Sequence, residues 1–327
     1  MAGRGTLATM YAAVLHASGE APRYEQFNDP VANEGEAIVQ VRAASVKQVE
    51  RQMAAGTHYA SPREFPVVCG LDGVGRLEDG TRVFFGGPRR PFGSMAERTV
   101  VARARCWPVP DGIDDVTAAA LPNPALSSWL PLMWRAKLAP GETVLILGAT
   151  GIAGRLAIQI AKLLGAGRVV AAGRNARVLE TLPGLGADAI IDLTRSDAEI
   201  VQAFQREAGD KGYDVIVDYV WGHPTELLLA ALTRGEFSMR AAGPRLIPIG
   251  ESAGPAISLT GAVMRSAALS ILGGGFPPFP QLMEAFQQVM THGASGRLKI
   301  ETEIVPLADV EAAWHRPSGT ARLVLAP

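Results

Sequence analysis

One segment limits the folds open to this chain more than any other. Val144, Leu145, Ile146 and Leu147 form an unbroken apolar run that ends at Gly148, and glycine returns at 151 and 154. Apolar residues then recur at helical spacing, at Ile152, Leu156, Ile160 and Leu163. The pattern reads as a buried strand turning sharply into a helix. In such a turn the first glycine permits the bend and the second removes a side chain where main chain meets a pyrophosphate. The third lets helix and strand pack closely, while the helix N-terminus offers free N–H groups to phosphate oxygens. The spacing departs from the plain GxGxxG form, so its placement between strand and helix carries the reading. A tight turn without a ligand is the alternative. The expected dinucleotide contacts here are Gly148, Thr150, Gly151, Ile152 and Gly154.

Strands and helices alternate around this motif. Strands are expected at 142–147, 168–172, 189–192, 214–219, 245–249 and 268–272. Helices are expected at 152–164, 176–182, 197–207, 224–232 and 281–290. Six strands alternating with helices predict an α/β, doubly wound parallel sheet. Before residue 123 the pattern differs: short apolar runs at 37–41, 82–85 and 98–101 lie between turn signals, as in a β-rich domain. The tail returns to that pattern, with strands at 301–305 and 322–325 flanking a short helix at 308–314. One domain inserted in another is the simplest arrangement: 1–122 and 273–327 for the β-rich domain, 123–272 for the dinucleotide-binding one. The loop 86–94, with two prolines, three glycines and the pair Arg89–Arg90, is expected to be exposed. Its basic pair reads as a solvated tip, with anion binding as the lesser alternative.

Composition excludes several functions. The 327 residues suffice for two domains of roughly 100–200 residues each. A formal net charge of −1 gives no basic excess for nucleic acid and no acidic solvating tail. The 2 cysteines, Cys69 and Cys106, are too few for a disulfide framework or a cysteine-rich zinc lobe. They are expected as free thiols in a reducing compartment. No run approaches the roughly 18 apolar residues of a membrane span. Arg4 is followed by no sustained apolar stretch, so a secretory signal is not expected; a transit peptide is a weak alternative, because no acid precedes Glu20. A cytoplasmic location follows, with no membrane or nucleic-acid partner.

The second strand of the alternating region bears on cofactor choice. An NAD-binding strand of this kind ends near an acid that accepts the ribose hydroxyls. Here Gly173 is followed by Arg174, Asn175, Ala176 and Arg177, with no carboxylate. An arginine fork at that point suits a ribose 2′-phosphate. NADPH is therefore favoured over NADH, the other reading of Arg174 being a solvated charge. Tyr219, after the fourth strand, and Gly250 and Glu251, after the fifth, complete the expected cofactor contacts, together with Gly173, Arg174, Asn175 and Arg177.

Read together, these segments resemble the medium-chain dehydrogenase/reductase superfamily, in its zinc-independent quinone-oxidoreductase-like branch. The resemblance rests on 12–16, 41–50, 65–75, 93–97, 118–124, the glycine motif at 148–154, and the closing strand at 321–325. It implies a Rossmann domain inserted in a GroES-like β-rich catalytic domain, hydride transfer from NADPH to a small-molecule substrate, and a homodimer. Zinc members carry a cysteine where this chain has Lys47 and a His-Glu pair where it has Leu71 and Asp72. Lysine and leucine are not ordinary zinc ligands, so no metal is expected.

The quinone-reductase branch usually has asparagine at the Lys47 position. Lys47 is thus either a donor to a developing oxyanion or a surface lysine. Tyr59 resembles a tyrosine bordering substrate in this branch, the other reading being a packing tyrosine. His58 reads as a loop histidine and Asp72 as a structural carboxylate. The function so implied is reduction of quinones or activated alkenes. The alternatives are a zinc-free alcohol or aldehyde reductase, or a weakly catalytic NADPH-binding sensor.

Overall fold

The computed structural model describes residues 8–233, 243–317 and 319–327, so Arg4 and the start of the chain lie outside the described residues. Contacts divide the chain into two units, 1–122 with 290–327, and 123–289.

The first unit is β-rich. Its strands are β1 (Thr9–Leu15), β2 (Arg23–Asn28), β3 (Glu36–Ser45), β4 (Val67–Val68), β5 (Asp72–Arg76), β6 (Arg82–Gly86), β7 (Arg98–Ala102) and β8 (Cys106–Pro108), with helices α1 (Gln48–Ala54) and α2 (Asp115–Ala120). The ten-residue β3 organises it. Its residues alternate between buried and solvent-facing until the last three, which are all buried. One edge of β3 pairs with β5; the other pairs first with β7 and then, at Ala44 and Ser45, with β16 (Arg322–Ala326) from the end of the chain. β1 lies in a separate three-stranded sheet between β2 and β4. The loop 86–94 is only partly exposed. Arg89 is drawn back by Glu36, at 2.8 Å from Nε to Oε1, and by the Phe92 ring, so only Arg90 of the basic pair keeps the expected exposure.

The second unit is built on α3 (Pro122–Leu130), β9 (Thr143–Leu147), α4 (Ile152–Leu163), β10 (Arg168–Gly173), α5 (Ala176–Leu179), β11 (Ala189–Asp192), α6 (Asp197–Ala208), β12 (Val215–Asp218), α7 (His223–Leu232), β13 (Arg245–Pro248), α8 (Gly261–Ala267), β14 (Ser270–Ile271) and α9 (Phe279–Ala294). Its six strands pair in the order β11-β10-β9-β12-β13-β14, all parallel. This is the doubly wound sheet expected from the alternating pattern. The central strand β9 is buried at all five positions, as a parallel strand covered on both faces must be. The order reverses at β9, which puts the ends of β9, β10 and β12 at the topological switch point where such sheets bind ligands.

The chain returns to the first unit through α9, and the division falls inside that helix, after Val289. That lies beyond the 272/273 boundary expected from sequence. The sequence boundary followed the last sheet strand, whereas packing follows the continuous helix. β15 (Thr302–Pro306), α10 (Val310–His315) and β16 close the β-rich unit.

Candidate functional site

At the switch point, Gly148 has φ of +82°, a conformation costly to residues with a Cβ. A Cβ on Gly154 would stand 2.3 Å from the Gly148 carbonyl oxygen, so only glycine lets α4 come this close to β9. Gly151 differs from both. Its φ is −74°, and a Cβ there would meet nothing nearer than 3.4 Å. Neither backbone conformation nor packing demands glycine at 151. Gly151 is also the N-cap of the twelve-residue α4 and supplies no side-chain cap. The first N–H groups of α4 are thus left open, and the missing side chain keeps the approach to them clear. This arrangement fits a pyrophosphate, which would lie against Gly148, Thr150, Gly151 and Ile152.

The second strand end carries the arginines. Arg174 and Arg177 are exposed and make no ion pair among the described residues. Asn175 is partly committed: its carboxamide oxygen accepts the Val178 N–H at 3.2 Å and caps α5. The expectation that no carboxylate stands beside this strand end needs correction. β10 and β11 pair with Gly173 opposite Asp192, and Leu193 N donates to Gly173 O at 2.8 Å. An acid therefore does adjoin the locus, supplied by the neighbouring strand. Asp192 is not free: Oδ1 accepts from Thr194 N at 2.9 Å and Thr194 Oγ1 at 2.7 Å, and Oδ2 faces Arg195 Nε at 3.2 Å. The Thr194 hydroxyl and amide hold the Asp192 carboxyl below its usual range.

Tyr219 follows β12, and its main chain sits close to Gly148 and Gly250. Its hydroxyl lies 2.6 Å from Ser128 Oγ and 3.4 Å from the Ser127 carbonyl, both on α3. Ser128 Oγ also approaches the Pro124 and Ala153 carbonyls, each at 3.3 Å. A serine has one hydrogen, so with that directed at a carbonyl it accepts from Tyr219. Burial pushes the phenol up to about 12, against those hydrogen bonds. The phenol thus stays protonated near neutrality and tethers α3, leaving the ring face as the part of Tyr219 open to a cofactor. Gly250 is half-buried and Glu251 exposed.

Sequence reasoning missed Asp218, at the end of β12. It is wholly buried and accepts from Val220 N, Trp221 N and Thr225 Oγ1, at 2.8, 2.9 and 2.6 Å. It fixes the turn after Tyr219. Burial raises its carboxyl above the ordinary value, and these three hydrogen bonds act in the opposite direction.

In the β-rich unit, Lys47 is not a surface lysine. Its side chain is 1% exposed. The ammonium stands 2.9 Å from Glu50 Oε1, 3.0 Å from Asp72 Oδ1 and 3.3 Å from the Ser45 carbonyl. Burial alone would depress its pKa, but the Asp72 and Glu50 carboxylates outweigh that and hold it above 10.5. Arg322, donating to Val46 O at 3.0 Å, adds a second positive charge near both carboxylates. Two cations thus face two carboxylates, with Lys47 and Glu50 buried and Asp72 and Arg322 half-buried. The ammonium donates to Glu50 Oε1 and the Ser45 carbonyl, and Asp72 Oδ1 faces it as an ion-pair partner. Burial removes the surface-lysine reading, and the ammonium stands as counter-ion to Glu50 and Asp72.

Tyr59 is the opposite case. It is 92% exposed, with its ring 4.0 Å from that of His58, so it is not a packing tyrosine. A partly open pocket of about 80 Å³ lies in the same unit, walled in part by Glu50, Met53, Cys69, Leu71, Arg90 and Phe92. Both cysteines are free thiols, and burial pushes Cys69 up to about 12.

Residues 153–287 match the family described as zinc-binding dehydrogenase. That stretch contains neither Lys47 nor Leu71. The NADPH-dependent alkenal/one oxidoreductase of Arabidopsis thaliana is 30% identical over 208 residues, covering 58% of this chain and 51% of that protein. The chain spans about half the length of this relative and of the 2-methylene-furan-3-one reductase of Solanum lycopersicum. Sus scrofa quinone oxidoreductase is 26% identical over 298 residues, covering 88% of this chain and 81% of that one. The solved quinone oxidoreductase of Thermus thermophilus superposes with a TM-score of 0.80 at 27% identity, over 97% of this chain and all of that one. Over most of its length the chain is thus similar to quinone oxidoreductases, in sequence and in fold.

Proposed function

We propose that this chain is an NADPH-dependent, zinc-independent reductase of quinones or α,β-unsaturated carbonyls. The observation that carries the proposal is the pairing of an uncapped α4 N-terminus, kept open by a glycine that packing does not require, with an uncommitted Arg174 at the end of β10. Bound there, NADPH supplies a hydride to an electrophilic carbon.

The chain's own residues bind and orient. Gly148, Thr150, Gly151 and Ile152 take the pyrophosphate, while Gly154 holds α4 against β9. Gly173, Arg174, Asn175 and Arg177 take the phosphorylated ribose. Tyr219, Gly250 and Glu251 border the remainder. Lys47 acts through Glu50 and Asp72 as a positioning residue: Glu50 Oε1 also accepts from Leu71 N at 3.0 Å, so the ion cluster holds the start of β5 and one wall of the pocket. Tyr59, with its hydroxyl in solvent, is the side chain proposed to border substrate. Lys47 and Leu71 at the positions of zinc ligands in metal-dependent relatives support a metal-free reaction.

The names of the relatives favour quinones and enones over alcohols and aldehydes. Oxidation of NADPH across a panel of quinones, enones and aldehydes tests the proposal. Turnover of aldehydes alone would favour an alcohol or aldehyde reductase. NADPH binding without turnover of any member would favour a sensor. Tyr59→Phe, which removes the hydroxyl and keeps the ring, should raise KM for the substrate and leave NADPH affinity unchanged.

A homodimer belongs to the same proposal, and sedimentation would test it. No helix among the described residues is long and apolar enough to cross a membrane. A cytoplasmic location is proposed with the activity.

A further inference from the structure

The register of β10 against β11 brings together two loop starts that are distant in sequence. Gly173 lies opposite Asp192, and Leu193 N donates to Gly173 O, so residues 174–175 and 193–195 leave the sheet side by side. The first start carries Arg174. The second carries Asp192, Thr194 and Arg195. Thr194 fixes the Asp192 carboxylate with two hydrogen bonds through its amide and hydroxyl. Arg195 meets the other carboxylate oxygen through Nε alone, at 3.2 Å, and its side chain is 66% exposed. A guanidinium held only by Nε keeps its terminal nitrogens for a second anion. An uncovered aspartate at this point would repel a ribose 2′-phosphate and attract a ribose 2′-hydroxyl.

We propose that Arg195 is a second reader of the 2′-phosphate, and that it works by covering Asp192 while offering its free nitrogens to the phosphate. The proposal rests on the NADPH reading above and adds a specificity-determining pair to it. Asp192 orients the guanidinium, and Arg195 neutralises an acid that would otherwise favour NADH. Cofactor choice is then set by two adjacent strand ends rather than one.

The test is equilibrium binding, with NADPH and NADH titrated separately against wild type, Arg195→Ala, Asp192→Asn/Arg195→Ala and Arg195→Lys, with cofactor fluorescence as the readout. Arg195→Ala should weaken NADPH by about tenfold or more, the scale of one charged hydrogen bond. NADH binding should stay level or tighten. Adding Asp192→Asn should recover several-fold of the NADPH loss, because the uncovered carboxylate is then gone. Arg195→Lys should keep part of the affinity. An NADPH-to-NADH ratio within about twofold of wild type in Arg195→Ala, or equal losses for both cofactors, would overturn the role of Arg195. A wild-type preference for NADH would instead overturn the NADPH reading itself, so the two failures are distinct.

Discussion

Lys47 Nζ lies 3.0 Å from Asp72 Oδ1, and the lysine side chain is 1% exposed. With Glu50 at 2.9 Å, the ammonium sits between the buried Glu50 carboxylate and the half-buried Asp72 carboxylate, joining the start of α1 to the start of β5. Such a pair is costly to assemble and costlier to break. Removing one partner leaves a charge in the interior without its counterpart.

Lys47→Met should therefore destabilise the protein by about 3–5 kcal/mol, the usual loss when a buried pair loses a partner. Denaturant unfolding would show it. Asp72→Asn added to Lys47→Met should recover part of the loss. NADPH affinity should not change. If the variant unfolds at the wild-type midpoint but loses rate in single-turnover reduction, Lys47 is a substrate donor after all. The same ammonium already fills the space between the carboxylates, so chelation and gel filtration should leave activity intact. Stoichiometric zinc that supports activity would count against this account.

The glycine motif allows two contrasting substitutions. Gly154→Ala places a Cβ 2.3 Å from a main-chain oxygen that has little room to yield. It should cost about 1–3 kcal/mol of stability, as overpacking does. Gly151→Ala meets no such contact and should leave stability within about 1 kcal/mol. It nevertheless puts a methyl group where the pyrophosphate would approach, and NADPH binding should fall by about tenfold. Unfolding curves and cofactor titrations on the two variants would separate packing from binding. Equal NADPH affinity in Gly151→Ala and wild type would remove the phosphate reading of this turn.

A pH effect is expected where α6 meets α7. His223 Nε2 lies 3.0 Å from Asp197 Oδ1, and its Nδ1 lies 3.7 Å from Glu226. The Asp197 hydrogen bond raises the imidazole above its ordinary 6.5, with burial acting the other way and the Asp197 and Glu226 charges adding to the rise. A raised value means that the folded state favours the protonated ring. The contribution is full below pH 6.5 and fades as the pH rises through the raised value. Proton NMR should find His223 titrating above 6.5, and Asp197→Asn should bring it down. An unmoved titration in the variant would break the assignment.

What is legible in the sequence follows the range of the interactions. β9, the Gly148 turn and α4 are local, and their apolar spacing and glycines are visible within about a dozen residues. β11 reads from 189–192 without error because its apolar run ends in turn residues on both sides. The apolar pattern puts the sixth strand at 268–272, yet only Ser270–Ile271 pairs, because Ala268 adopts a left-handed conformation with φ of +48°. Long-range contacts are not legible. Arg322 donates to Val46 across 276 positions of sequence, and no periodicity announces that. Nor does any motif announce that Asp192 stands beside Gly173, since register is set by pairing and not by composition. Lys47 escapes a sequence reading for the same reason. Its buried fate depends on Asp72, whose place beside it comes from the pairing of β3 with β5.

Arg174 carries the most direct prediction about cofactor choice. It stands immediately after Gly173, the last residue of β10, exposed and without an ion pair among the described residues. Neighbouring groups are already engaged: Asn175 caps α5, and Asp192 is held by Thr194 and Arg195. Arg174 is thus an uncommitted cation where a ribose 2′-phosphate would lie. Arg174→Ala should weaken NADPH binding by about 1.5–3 kcal/mol, the range for a charged hydrogen bond. That is about tenfold or more. NADH has no 2′-phosphate, so its affinity should barely move. The substitution removes an exposed side chain with no ion pair or hydrogen bond among the described residues, and the unfolding midpoint should match wild type. Loss of both cofactors in equal measure would assign Arg174 to the shape of the loop rather than to the phosphate. Arg174→Lys adds a graded check. It keeps the charge but loses the fork that grips two phosphate oxygens, so its NADPH affinity should fall between those of wild type and alanine.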